Sequence, residues 1–371
     1  MRKCPYCDFA SEVHHPPPTE AYCTALRQEI TSWRSRLSTD ERPLISIYFG
    51  GGTPSLLSAP QIQQILQHIK NLFPLTKNCE ITLEANPESV NEAFLSGCLT
   101  GGVNRLSLGV QAFSASRLAF LNRPHTLNRA RTTLHLIRQA GFDRFSLDLI
   151  YATPNQTRKS WQLELEEAVS YGASHLSCYQ LTIAEETPFY QHMQNKQWGL
   201  PKEKASLALF QFTHQYLKKH GYEAYEISNF AKPGQASRHN LNYWSFGDYL
   251  GIGCAAHGKI TQPEGSIWRT CNTESVQLYL DLLQKNLSPL THHALLPPQE
   301  AASELLIMGV RHKQGLQRAH YLQLSGEDLV QAKSEKMNEL RKKNLLTWNK
   351  TYIRVTKKGI ALTDSILLTI L

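Results

Sequence analysis

The chain has 371 residues, enough for two domains or one large domain with an appendage. Apolar residues make up 41% and charged residues 19%, the balance of a soluble protein with a sizeable core, and no run of 18 apolar residues suggests a transmembrane helix. The net charge of +8 is spread along the chain; the one cluster, Lys333, Lys336, Arg341, Lys342 and Lys343, reads as a solvated helix face, so no nucleic acid is expected as a partner.

In chain order, strand-like and helix-like segments alternate. Ser46 to Phe49 is a short apolar strand, followed at once by Gly50, Gly51 and Gly52. Helical periodicity runs from about Ala59 to Phe73. Glu80 to Leu83 reads as a strand, and the segment after Pro87 as a helix ending near Gly101. Arg105 to Val110 is a strand, followed by two helical stretches, the second ending at Gly141. Phe145 to Ile150 is a strand, Ser160 to Tyr171 a helix and His175 to Leu181 a strand. Lys202 to His220 is a helix and Tyr222 to Tyr225 a short strand. Short connections between alternating elements predict about six parallel βα units, fewer than the eight of a closed barrel.

Glu84, Gln111 and Asp148 sit at or beside strand C-termini, as does the glycine run. In parallel α/β architectures the ligand site lies at that edge. Beyond the series, Gln235 to about Cys271 is turn-rich, aromatic and glycine-rich, and Leu290 to Pro298 reads as a linker. Helical periodicity returns from Gln299, and Leu345 to Lys358 resembles a β-ribbon. The expected organisation is an α/β barrel-type domain over 1–230, an aromatic connecting region over 231–290 and a small α+β, winged-helix-like domain over 291–371.

Of eight cysteines, only Cys4 and Cys7 form a close pair. The first residues lack the apolar stretch and cleavage site of a secretory signal, so a cytoplasmic location is expected and a disulfide framework is not. Cys4-Pro5-Tyr6-Cys7 alone leaves three readings open. A redox dithiol wants a preceding strand, zinc wants a second pair, and an iron–sulfur cluster wants more thiolates.

The order and spacing of the motifs resemble one family. Cys4-Pro5-Tyr6-Cys7-Asp8-Phe9, Tyr48-Phe49-Gly50-Gly51-Gly52-Thr53-Pro54-Ser55, Glu84-Ala85-Asn86-Pro87-Glu88 and Arg105-Leu106-Ser107-Leu108-Gly109-Val110-Gln111 are similar to the HemW and coproporphyrinogen-dehydrogenase group of radical-SAM proteins. Asn122-Arg123-Pro124-His125, Ser146-Leu147-Asp148-Leu149-Ile150 and Tyr225-Glu226-Ile227-Ser228-Asn229-Phe230 continue the resemblance. It implies a partial (β/α)6 radical-SAM barrel with a [4Fe–4S] cluster held by a CxxxCxxC loop, and S-adenosylmethionine on the free iron. Cys4 and Cys7 match the second and third cysteines. The first would fall one position before Met1, along with the first barrel strand, so the expectation is a start assigned too late, the alternative a cluster-less relative.

The resemblance also implies site roles. Tyr6 would lie near the adenine, and Gly51, Gly52 and Thr53 beside the amino group of S-adenosylmethionine. Glu84, Gln111, Arg123 and Asp148 would supply further polar contacts. Tyr151-Ala152-Thr153-Pro154-Asn155-Gln156-Thr157 departs from the family's YGLPGQT, and the loss of both glycines suggests a relaxed requirement for close backbone approach there. Two features favour the HemW branch. Phe9 stands where the dehydrogenase loop has a further cysteine, and His239-Asn240-Leu241-Asn242-Tyr243-Trp244 matches an HNxxYW signature. His239, Tyr243 and Trp244 are the candidate haem-binding residues, an imidazole for iron and flat rings for the porphyrin. The implied function is a haem chaperone, not an integral membrane protein, that passes haem to an acceptor such as a membrane respiratory enzyme. The alternative is an oxygen-independent coproporphyrinogen III oxidase.

Overall fold

The computed structural model describes residues 3–371. A helix that sequence periodicity did not disclose, α1 (Thr19–Arg36), comes first. Then follow β1 (Leu44–Phe49), α2 (Ala59–Leu72), β2 (Leu75–Ala85), α3 (Glu92–Gly101), β3 (Arg105–Gln111), α4 (Ala115–Phe120), α5 (Leu127–Gln139), β4 (Phe145–Tyr151), α6 (Arg158–Ser170), β5 (His175–Gln180), α7 (Pro188–Gln194) and α8 (Glu203–Lys219). Local chemistry sets several helix starts. Ser58 and Gln61 form a reciprocal capping box on α2, and Thr157 with Ser160 does the same for α6. Asn91 and Thr126 cap α3 and α5.

Strands β1 to β5 are parallel and adjacent in that order. Two short strands, β6 (Glu223–Ala224) and β7 (Asn229–Ala231), complete a seven-stranded sheet. The sixth parallel unit expected at Tyr222 to Tyr225 is therefore displaced. It becomes β6 at the sheet edge, because β7 inserts antiparallel between it and β5.

The sheet curls into a half-barrel whose two faces differ in chemistry. On one face Leu83 pairs with Leu106, Leu108 with Leu147 and Leu149 with Cys178. These residues merge with Ile62, Leu95, Leu134 and Trp161 from the helices into the main core. Each such aliphatic side chain contributes about 1.5–3 kcal/mol by burial. On the other face Tyr48 pairs with Thr82, Thr82 with Arg105, Glu84 with Ser107, Ser146 with His175 and Asp148 with Ser177. The two-residue period of a strand thus puts aliphatics under the helices and polar groups on the opposite surface.

The region read as turn-rich from Gln235 keeps its turns, notably over 245–256, and sets regular elements around them. It comprises α9 (Arg238–Trp244), β8 (His257–Thr261), β9 (Ile267–Asn272), α10 (Val276–Gln284) and β10 (Leu290–Leu295). The linker expected at Leu290 to Pro298 is corrected by β10, which pairs antiparallel with β9 at the edge of a three-stranded sheet. An edge strand is held by backbone pairing on one side, so LTHHAL needs no strict alternation of apolar residues.

Buried Glu29 ties α1 to this region. It accepts from Gly253 N at 2.8 Å, the Tyr279 hydroxyl at 2.7 Å and Asn272 Nδ2 at 2.7 Å. Burial pushes its carboxyl above the usual range, while these donors pull it back.

The last segment holds α11 (Pro298–Gly309), β11 (Leu316–Gln317), α12 (Arg318–Ser325), α13 (Leu329–Ala332), α14 (Ser334–Lys342), β12 (Leu346–Trp348), β13 (Tyr352–Val355) and α15 (Thr363–Ile370). The expected ribbon is β12 and β13, joined by β11 into a three-stranded sheet over a second core of Leu306, Leu316, Met337, Ile353 and Ile366. No described helix is long and apolar enough to cross a membrane.

Candidate functional site

The Cys4–Phe9 segment forms no regular element, and side chains from the barrel hold it. Cys7 N donates to Cys4 O at 3.1 Å, closing a turn, and Phe189 N on α7 donates to Pro5 O at 3.1 Å. The Tyr6 ring packs 6.1 Å from that of Phe189, within an apolar group that includes Leu121, Ile150 and Leu181. Arg123 is the polar anchor. Its Nη1 lies 3.5 Å from the Cys4 sulfur, and its Nη2 donates to Gly109 O at 3.2 Å and to Asn86 Oδ1.

Gly109 makes that reach possible. A Cβ there would lie 2.9 Å from Gln111 Nε2, 3.2 Å from Asn86 Oδ1 and 3.5 Å from Arg123 Nη2. Gln111 closes β3 with φ 65°, a left-handed backbone of the kind that collects at functional sites and costs about 1–3 kcal/mol.

At the end of β2, Glu84 Oε1 accepts from the Tyr48 hydroxyl at 2.6 Å and Oε2 from Gly51 N at 3.3 Å. Withdrawal from water pushes the Glu84 carboxyl up to about 7, and the negative charge of Asp148 adds to this against the Tyr48 and Gly51 hydrogen bonds. Asp148 accepts from the Ser107 hydroxyl at 3.0 Å; burial raises its carboxyl too. Gly51, φ 110°, has no atom within 4 Å of where a Cβ would stand, so backbone faces open space beside Glu84. Thr53 stays close by, its hydroxyl 3.5 Å from Asn86 Nδ2.

The HNxxYW segment is α9, and it lies against the polar face. Ser237 caps it, and Arg238 N donates to the buried Glu80 at 2.8 Å. Glu80 also takes Arg144 at 2.7 Å and has Arg105 at 3.9 Å. His239 stacks on Tyr48 with centroids 4.1 Å apart and planes at 15°, and meets Tyr243 at 4.8 Å on another side. Burial, and then the Arg105 charge, lowers the His239 imidazole to about 4. Asn240 Nδ2 donates to the Tyr225 hydroxyl, itself 2.8 Å from His175 Nε2. Tyr243 stacks on Tyr249 at 4.3 Å, and Trp244 is half-buried at the end of the helix.

The structure gathers the sequence candidates into two groups on the half-barrel. Gln111 and Arg123 meet at Gly109, and Arg123 brings Cys4 and Tyr6 to them; Glu84, Gly51, Gly52 and Thr53 lie at the ends of β1 and β2, and Asp148 lies mid-strand on β4 on the same polar face. His239 joins the second group through Tyr48, and Tyr243 meets it through His239. Tyr48 and Asn86 were the connecting residues that sequence reading left unassigned. Both stand inside quoted motifs, and Tyr48 shares strand parity with Thr82, Glu84 and Ser107, the available signal.

Where the family's two glycines are replaced, the backbone still has a conformation that suits glycine. Ala152 and Asn155 adopt φ 58° and φ 59°. The loop keeps the left-handed conformations that suit glycine, and the non-glycine side chains carry the strain.

The donor set fits S-adenosylmethionine: Glu84 suits an ammonium, Asp148 suits hydroxyls, and the Arg123 Nε is buried without a partner. For a [4Fe–4S] cluster the described residues supply part of the ligand set. Cys4 and Cys7 supply two thiolates, and among the described residues no group of three or more His, Cys, Asp and Glu side chains is placed to hold a metal. His239 fits haem iron chemically but is covered by Tyr48 and Tyr243 in this arrangement.

Residues 1–168 match the Radical SAM superfamily and residues 296–362 the HemN C-terminal domain. The fold is that of coproporphyrinogen III oxidase (HemN) from Escherichia coli, described as a radical SAM enzyme. The TM-score is 0.83 at 22% identity, covering 100% of this chain and 87% of that one. Fold and matches thus define a radical-SAM protein with a HemN-type C-terminal domain. Among curated relatives, "Heme chaperone HemW" of Haemophilus influenzae is 41% identical over 283 residues, 76% of this chain and 73% of the relative. That of Bacillus subtilis is 32% identical over 96% of this chain and 92% of the relative. The chain belongs to the HemW family.

Proposed function

We propose that this protein is a haem chaperone that binds haem through the α9 segment and passes it to an acceptor protein, with S-adenosylmethionine bound on the polar face of the half-barrel by Glu84, Asp148 and Arg123. The observation that carries this reading is an HNxxYW helix packed on the polar face, in a chain 41% identical to a relative named as a haem chaperone. S-adenosylmethionine supplies a sulfonium whose reductive cleavage yields a radical when a cluster is present. The chain's own residues have simpler tasks. Glu84 would receive an ammonium, Asp148 would orient hydroxyls, and Arg123 would pin the Cys4 loop against β2 and β3. His239 would ligate iron after leaving its Tyr48 stack. A respiratory enzyme at the membrane is the proposed acceptor, and the cytoplasm the proposed location.

The competing reading, coproporphyrinogen III oxidation, has the fold of HemN in its favour. Phe9, where the dehydrogenase loop has cysteine, speaks against it. Anaerobically purified protein supplied with reductant, S-adenosylmethionine and coproporphyrinogen III separates the two. The chaperone reading expects haem binding without decarboxylated product. Sustained product formation would overturn it.

A further inference from the structure

We infer that Tyr48 is a positioning residue that links Glu84 to His239, so that a cationic ligand on Glu84 frees the imidazole of the HNxxYW helix. The inference rests on the reading of Glu84 as an ammonium site and His239 as an iron ligand.

Tyr48 is fixed on three sides by three parts of the chain. Its hydroxyl donates to Glu84 Oε1 at 2.6 Å. Its ring is the stacking partner of His239, at 4.1 Å and 15°. Its edge presses on the glycine loop, where a Cβ at Gly50 would lie 2.6 Å from Tyr48 Cε1 and 3.2 Å from Glu84 Oε1. The other Glu84 oxygen accepts from Gly51 N. One aromatic side chain thus touches the carboxylate, the glycine loop and the haem motif, although Tyr48 and His239 are far apart in sequence.

The direction of the link follows from hydrogen-bond competition. The Tyr48–Glu84 bond has a charged acceptor whenever Glu84 is ionised, and such bonds are the stronger kind. An ammonium that takes the carboxylate oxygens weakens the hold on the Tyr48 hydroxyl. The ring is then freer to leave His239, and the imidazole becomes available to iron. By linkage, iron capture at His239 favours ligand binding at Glu84 by the same factor. Arg238 and Asn240 keep α9 anchored to Glu80 and Tyr225, so the change asked of the helix is local to one ring.

Histidine side-chain NMR on the full chain tests the link without haem. The His239 resonance is identified by its loss in His239→Gln. Glu84→Ala is expected to shift that resonance in the Tyr48 background and to leave it in place in Tyr48→Phe, which retains the ring but not the hydroxyl. Saturating S-adenosylmethionine is expected to act like Glu84→Ala. A His239 resonance that ignores Glu84→Ala, or responds equally in Tyr48→Phe, overturns the inference. A haem titration then separates it from the functional reading. Tyr48→Phe is expected to bind haem at least about five-fold tighter than wild type. Equal haem affinities overturn the inference and leave the chaperone reading intact. No haem binding by any variant, with the NMR link present, overturns the chaperone reading alone.

Discussion

Arg123 and Asn86 are hydrogen-bonded across the position where Gly109 leaves room for the guanidinium to pass. The same guanidinium reaches the Cys4 sulfur, so one glycine on β3 governs how the N-terminal loop is held. Gly109→Ala is expected to destabilise the fold by about 1–3 kcal/mol, the usual range for overpacking. Hydrogen exchange should rise in residues 4–9 more than in the β-sheet. Unchanged exchange in that loop would contradict the anchoring role of Arg123.

Glu29→Ala should cost more. It leaves Gly253 N, the Tyr279 hydroxyl and Asn272 Nδ2 without their acceptor in a buried seam. An unpaired buried donor costs about 1–3 kcal/mol, so a loss of at least about 3 kcal/mol is expected in urea unfolding. Tyr279→Phe removes one donor together with its demand and should cost about 1 kcal/mol.

The strained loop after β4 gives a prediction of opposite sign. Ala152→Gly relieves a left-handed alanine and is expected to stabilise by about 0.5–1 kcal/mol, read as a rise in the urea midpoint. Asn155→Gly should be near neutral, because asparagine tolerates this conformation. Destabilisation by Ala152→Gly would show that the alanine methyl packs better than its backbone suffers.

Acid sensitivity should involve His214. It lies 4.4 Å from the Phe210 ring and 4.8 Å from that of Phe230, and burial lowers its imidazole to about 4. The unfolded chain protonates this histidine near 6.5, and the folded chain resists until about 4. Stability from neutral His214 is therefore present above about pH 6.5 and is lost as pH falls towards 4, by up to about 3 kcal/mol. His214→Leu should flatten that part of the stability–pH curve. An unchanged slope would contradict the assignment.

Much of this arrangement was legible in the sequence because it is local. Glycines directly after an apolar strand, and Glu84 and Gln111 at successive strand ends, predicted an edge where the structure does place them, whereas Asp148 lies mid-strand on β4. Other parts left no local trace. Helix α1 buries Glu29 among Cys23, Leu26, Ile30 and Trp33, which breaks the apolar stripe that periodicity detects. Strand β10 exposes His292 and His293 and is held by backbone pairing. The antiparallel insertion of β7 is a matter of long-range pairing that Asn229–Ala231 does not announce. The Tyr48–His239 stack joins distant segments, and only the folded chain brings them together. At 152 and 155 the residue types give no sign that the backbone is left-handed.

The most direct measurement is an anaerobic haem titration followed at the Soret band in wild type and in His239→Ala. The account predicts saturable binding of one haem per chain in wild type. It predicts loss of that binding in His239→Ala, with far-ultraviolet circular dichroism unchanged and a cooperative thermal melt retained. A wild-type protein that gives no Soret shift, or a His239→Ala protein that binds haem as wild type does, would contradict it.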